Sequence, residues 1–194
     1  MTEQVTPSRT RDPARKERIL VAAADLVARN GYHAVSMAEI GAAAGITGSA
    51  IYRHFDSKSA VLVALFDRVI DALLADGQEI VHLATDLRDA LVRLIAGQVE
   101  FVVADRELAQ VYHNEIHNLP DDDRRRLRRK QRMYVEEWVH VLGELRPELT
   151  DAESRALVHM AIGAIQSPLF YKSGLAEDSL RELLAGSARA VLDH

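Results

Sequence analysis

Apolar residues in this chain recur at every third or fourth position, and nowhere do they alternate one by one. That period admits helices and leaves no segment from which to build a sheet. The ends of the apolar stripes carry helix punctuation. Asp12-Pro13 reads as an N-cap followed by proline at the first helical position. Ile19, Ala23, Leu26 and Val27 then form a stripe that stops at Asn30-Gly31. Ser36-Met37-Ala38-Glu39 is a capping box that opens a second, short helix through Ala44, closed by Gly45. A third helix is expected from about Gly48 to Phe55. A fourth follows the Ser57 cap and keeps Val61, Leu62, Leu65, Phe66, Val69, Leu73 and Leu74 on one face to about Ala84.

Further helices are expected at about 86–104, 106–118, 121–145, 151–171 and 177–192, which makes an all-α chain of about nine helices. Asp121, Asp122 and Asp123 stand where a helix dipole favours carboxylates. Thr150-Asp151-Ala152-Glu153 is a second capping box, and Pro168 should kink or end its helix. With 194 residues and 48% hydrophobic content the chain can bury a real core. No cysteine is present, which excludes disulfides and thiolate chemistry and fits a reducing compartment. The first twenty residues lack an apolar segment of the secretory kind, and no apolar run approaches the ~18 residues of a membrane span. The expectation is a cytoplasmic protein without a membrane partner.

The net charge of −5 argues at first against a nucleic-acid partner, but it is unevenly distributed. Residues 1–60 carry +2 and the remainder −7, a basic end on an acidic body. In that basic end the second helix, the turn around Gly45-Ile46-Thr47 and the third helix form a helix-turn-helix pattern. Ile40, Ile46, Ile51 and Phe55 can face a core with the first helix. Thr47, Gly48, Ser49, Tyr52 and Arg53 are left toward solvent, on a helix able to enter a major groove about 12 Å wide. Tyr52 and Lys58 suit phosphate contacts. The plain alternative is a helical hairpin with Arg53 and His54 solvated.

Particular residues here also carry a family resemblance. They are Arg15-Lys16-Glu17-Arg18-Ile19-Leu20, Gly31-Tyr32, Val35-Ser36-Met37-Ala38-Glu39-Ile40, Ala44-Gly45-Ile46, Ile51-Tyr52-Arg53-His54-Phe55 and Ser57-Lys58. Over Arg15 to Leu65 the chain resembles the DNA-binding domain of TetR-family repressors. The resemblance implies an N-terminal three-helix DNA-binding domain, residues 1–60 with its basic arm. A connecting helix would join it to a C-terminal helical domain, residues 61–194, that binds a small molecule and dimerises. Carried over by position, it implies DNA contacts from Ser36, Met37, Thr47, Gly48, Ser49, Tyr52, Arg53, His54 and Lys58. Arg9 and Arg11 form an arm that either reaches a minor groove or is a plain basic tail.

For the second block, residues 156–165 are apolar nearly all round, and Leu180, Leu183, Leu184, Ala188, Val191 and Leu192 make a stripe on the last helix. Met160, Ala161, Ala164, Ile165, Leu180, Leu183, Leu184 and Ala188 are the expected homodimer interface. Polar groups interrupt apolar faces at Gln98, Glu115, Arg128 and Gln131. Such groups either pair with each other, as Glu115 with Arg128, or meet a ligand. Together with Tyr112, Tyr134 and Trp138 they are the candidate effector site. The run Arg124-Arg125-Arg126, Arg128-Arg129-Lys130 and Arg132 is either a solvated face balanced by the three aspartates or a phosphate site.

From Tyr112 to Trp138 the chain also resembles TetR-like regulators of lipid degradation that respond to acyl-CoA thioesters, and a hydrophobic drug-like or terpenoid effector is an equal candidate. His113 and His117, four apart, have a metal-binding spacing but no third ligand, so no metal and no cofactor are expected. No nucleophile elbow, zincin, P-loop or dinucleotide motif is present, so no catalytic residue is assigned. The expected activity is that of a repressor released from a palindromic double-stranded DNA operator by a small lipophilic effector. The alternatives are a helical adaptor without DNA binding and a thioester-binding enzyme.

Overall fold

The computed structural model describes residues 13–46 and 48–194, with the backbone alone at Pro13, Gly48 and Ser49. Among these residues there are helices and no strand. The helices are α1 (Pro13–Asn30), α2 (Met37–Ala43), α3 (Gly48–Ile51), α4 (Lys58–Leu83), α5 (Leu87–Ala104), α6 (Arg106–Glu115), α7 (Asp121–Leu145), α8 (Asp151–Gln166) and α9 (Glu177–Leu192). Short 3-10 turns follow α6 at Ile116–Asn118 and α8 at Ser167–Leu169.

The expected punctuation sets the ends. Ser36 caps α2: the Glu39 amide donates to Ser36 Oγ at 3.2 Å while the Ser36 amide donates to Glu39 Oε2 at 2.8 Å. Thr150 and Glu153 repeat the arrangement at α8. The chain passes Gly45 at φ +68°, a left-handed conformation costly for other residues, and so turns sharply from α2 toward α3.

Three helices end earlier than their periodicity predicts. The third stops at Ile51 instead of Phe55, because the Arg53 and His54 amides bond three residues back, to Ala50 and Ile51, in a tight turn. That turn leaves Phe55 buried. The sixth gives way to a 3-10 turn because Leu119, preceding Pro120, is extended at ψ 152°. The eighth ends at Gln166 because Pro168 lacks the amide that would continue it.

The chain divides into two compact units after Leu62. In the first, Ile19, Ala23, Val27, Ile40, Ile51 and Phe55 are buried. In the second, α5 packs against α6, α7, α8 and α9, and α8 packs against α9. Trp138, Leu127 and Leu142 of α7, Leu94 and Ile95 of α5, and Val158 and Ile165 of α8 are fully buried there. Gly77 lets α4 lie close to the α7 ring of Tyr134: a Cβ at that position would stand 3.2 Å from Tyr134 Cε2. Helix α4 begins in the first unit and continues into the second.

Candidate functional site

In the first unit the turn after α3 points Tyr52 and Arg53 outward. Tyr52 is 55% exposed, Arg53 is exposed, and His54 is half-buried. Ser36 is exposed, with its hydroxyl donating to Glu39 at 2.7 Å. That hydrogen bond, the largest influence on Glu39, helps hold its carboxyl below the usual range. Thr47, Arg9 and Arg11 lie outside the described residues, as do the side chains of Gly48 and Ser49.

Two of the expected contact residues are placed elsewhere. Met37 is only 8% exposed, since the first residue of the short α2 must help cover the core. Lys58 is turned inward: its Nζ donates to the carbonyls of Tyr32 and Val35, both at 2.6 Å, and to His33 at 3.4 Å. It also lies 4.3 Å from the Tyr32 ring centroid. The three ammonium donors thereby fasten the α1–α2 loop to the start of α4.

The second unit contains a cavity of about 250 Å³. Tyr112 and His113 of α6, Ile116 and His117 of the following turn, and Arg128 and Gln131 of α7 line it, with Phe101, Ala109, Gln166 and Leu169. Of the seven expected effector residues, Tyr112, Arg128 and Gln131 meet here. The other four do not line it. Gln98 is 2% exposed and is enclosed with the α5 core residues. Tyr134 and Trp138 pack edge to face, with centroids 6.2 Å apart, inside the unit. Glu115 accepts a hydrogen bond from Asn118 Nδ2 at 2.5 Å. His113, for its part, stacks edge-on against the Phe170 ring, centroids 4.9 Å apart. Among the described residues no group of three or more metal-binding side chains is assembled.

The arginine run is largely neutralised. Arg124 pairs with Asp121, and Arg125 with Asp122. Arg126 bonds Asp67 and, at 3.0 Å, Asp123. Lys130 reaches Asp67 at 2.9 Å and Asp71 at 2.7 Å. Burial pushes the Asp67 carboxyl up, but hydrogen bonds from Arg126 and Lys130 outweigh it and hold the group below its ordinary value. The same bond raises Arg126. This clamp of α4 on α7 was missed in the sequence. The available signal was an acidic pair four apart, Asp67 and Asp71, facing a basic pair four apart, Arg126 and Lys130. Arg128, on the cavity wall, is exposed and outside these pairs.

The expected interface residues on α8 and α9 split in two. Met160, 54% exposed, Leu183, 55% exposed, and half-buried Ala164 remain accessible. Ala161, Ile165, Leu180, Leu184 and Ala188 are buried within the unit itself, because α8 and α9 pack against each other and on α5 through those faces. Within the unit they serve as core residues. A shallow groove along α9, lined by Leu183, Gly186, Ser187 and Ala190, continues the accessible face. Among the described residues no helix is long and apolar enough to cross a membrane.

Residues 19–65 match the family model "Bacterial regulatory proteins, tetR family". Residues 84–167 match "Tetracyclin repressor-like, C-terminal domain". The HTH-type transcriptional repressor KstR2 of Rhodococcus jostii is 31% identical over 110 residues, covering 57% of this chain and 54% of that protein. The chain spans about half the length of the curated relatives it matches. A TetR-family transcriptional regulator from Bordetella parapertussis superposes with a TM-score of 0.79 at 25% identity, over 89% of this chain and 93% of that one. FadR of Bacillus subtilis, solved in complex with stearoyl-CoA, shares the fold with a TM-score of 0.74 at 20% identity, over 91% and 95% of the two chains. A model of one family matches each end of the chain, and the chain belongs to the TetR family of bacterial regulatory proteins.

Proposed function

We propose that the chain is a homodimeric cytoplasmic repressor that leaves its DNA operator when a small ligand enters the cavity of the second unit. The observation that carries this reading is the exposed Tyr52–Arg53 turn in a unit matched to the family's N-terminal model, on a chain that also holds a cavity. Arg53 and Ser36 would meet the DNA, with Tyr52 on phosphate, and two copies would sit at half-site spacing. The amides of Gly48 and Ser49 at the start of α3 would approach closely, with His54 at the edge of the contact.

An acyl-CoA thioester is the favoured effector class. FadR of Bacillus subtilis was solved with stearoyl-CoA, and Arg128 stands at the cavity wall outside the aspartate pairs, with Arg129 and Arg132 exposed nearby. Those three would meet the CoA phosphates. Effector binding favours a state in which α4 carries the change toward the first unit, with a coupling of about 1–3 kcal/mol. Two copies would meet through Met160, Ala164 and Leu183.

The test is DNA binding to the region upstream of the protein's own coding sequence, measured across a salt series. Affinity falling linearly in log–log form with salt is expected of phosphate contacts. No salt-dependent binding would turn the reading toward a helical adaptor. Turnover of a bound thioester would turn it toward an enzyme.

A further inference from the structure

The cavity of the second unit is lined in part by polar side chains that the fold leaves unengaged. Arg128 and Gln131 of α7, His113 of α6, His117 of the turn after it and Gln166 at the end of α8 line the space. All are exposed except the half-buried Gln166, so their polar groups are open to a molecule entering the space. Among the described residues none of the five side chains takes part in a hydrogen bond or an ion pair. His113 touches only the edge of the Phe170 ring.

These groups bring donors and a positive charge, with no carboxylate to balance them. No aspartate or glutamate lines the cavity, and Glu115 of α6 accepts from Asn118 instead. The register of α7 explains why Arg128 stays unpaired. Arg124, Arg125 and Arg126 each find an aspartate three residues back, in the acidic first turn. Arg128 stands further along, where its neighbours three and four residues away are Arg124, Arg125, Gln131 and Arg132. None of them can neutralise it, and Arg132 adds a like charge on the same face.

An oxyanion meets these demands. A guanidinium offers five N–H donors in a fork that fits carboxylate and phosphate alike, a glutamine amide two, and a neutral imidazole one. Phe101, Ala109, Ile116 and Leu169 supply apolar wall for a short hydrocarbon stem. At about 250 Å³ the space is below the ~300–1,000 Å³ typical of sites for drug-sized ligands, so the group it takes is compact. We propose that the effector places a compact oxyanion, carboxylate or phosphate, in this cavity, paired with Arg128 and with Gln131, Gln166 and His117 as further donors. The proposal rests on reading the cavity as the effector site, and adds the charge and size of the group that enters.

Three probes of one chain length test it by calorimetry on the full chain, at neutral pH and fixed ionic strength: hexanoate, hexyl phosphate and the uncharged hexanamide. The wild type should bind one of the anions about tenfold tighter than the amide, as expected of hydrogen bonds to a charged group. The better anion names the source, a carboxylate or a phosphate. Arg128→Gln, at an exposed helix position, should melt as the wild type does and bring the ratio close to one. Arg125→Gln removes the same charge from a side chain that pairs with Asp122 and does not line the cavity, and should leave the ratio as it was. Equal affinity for all three probes in the wild type, an unchanged ratio in Arg128→Gln, or an equal loss in Arg125→Gln overturns the proposal.

The same probes added to the DNA complex separate this site from the effector reading. Anion binding through Arg128 that leaves the DNA affinity unchanged would keep the proposal and remove the effector reading. Release of DNA by hexanamide as readily as by either anion would do the reverse. No binding of any probe at millimolar concentration would contradict the proposal.

Discussion

Lys58 and Met37 sit among residues that face outward when the resemblance alone is followed, yet both turn inward. For Lys58 the reason is local: the loop after α1 brings the Tyr32 and Val35 carbonyls together beside the first turn of α4, and an ammonium satisfies both. Lys58→Met keeps the stem and deletes the donors, and should cost about 2 kcal/mol, the scale of hydrogen bonds to a charged group. Urea unfolding measures that loss. The salt slope of DNA binding should stay as in the wild type, whereas a phosphate contact would lower it by about one. Tyr52 and Arg53 are exposed and belong to a different kind of experiment. Tyr52→Ala should weaken binding to many sequences alike, while Arg53→Ala should relax preference at one base pair of an operator library.

At the scale of elements, the clamp between α4 and α7 ties the helix shared by both units to a cavity wall. Because Asp67 titrates below its usual range, its contribution is complete above the ordinary carboxylate pKa of about 4 and is lost as pH falls through that value and then the lowered one. Asp67→Asn should therefore destabilise the protein by about 1–2 kcal/mol at neutral pH. The difference from the wild type should shrink steadily as the pH falls below about 4 in urea titrations. A constant difference across pH would remove the ionic explanation.

The helices themselves were largely legible because Ser36, Gly45, Thr150 and Pro168 act on the backbone within a few residues. The clamp was not, since Asp67 and Arg126 meet only once α4 and α7 have packed. The cavity was legible in part for the same reason. Tyr112, Arg128 and Gln131 flank it, but periodicity alone does not separate a polar residue lining a cavity from one enclosed in the core, such as Gln98.

For the whole molecule, the proposed two-fold assembly depends on the residues that α8 and α9 leave exposed. Leu183→Arg or Met160→Glu should give a folded monomer in size-exclusion chromatography with light scattering, because neither side chain supports its own unit. Leu184→Arg, at a buried position on the same helix, should unfold the chain instead. A monomeric form would also lose the paired readers that a palindromic operator needs.

The most direct test of the central claim is fluorescence anisotropy of the protein on DNA from its own upstream region, titrated with acyl-CoAs of increasing size and with CoA alone. Release of the DNA by one range of thioesters, but not by CoA, is the expected result. Tight binding that is equal with and without every thioester, although those thioesters occupy the protein, would contradict the coupling between cavity and DNA.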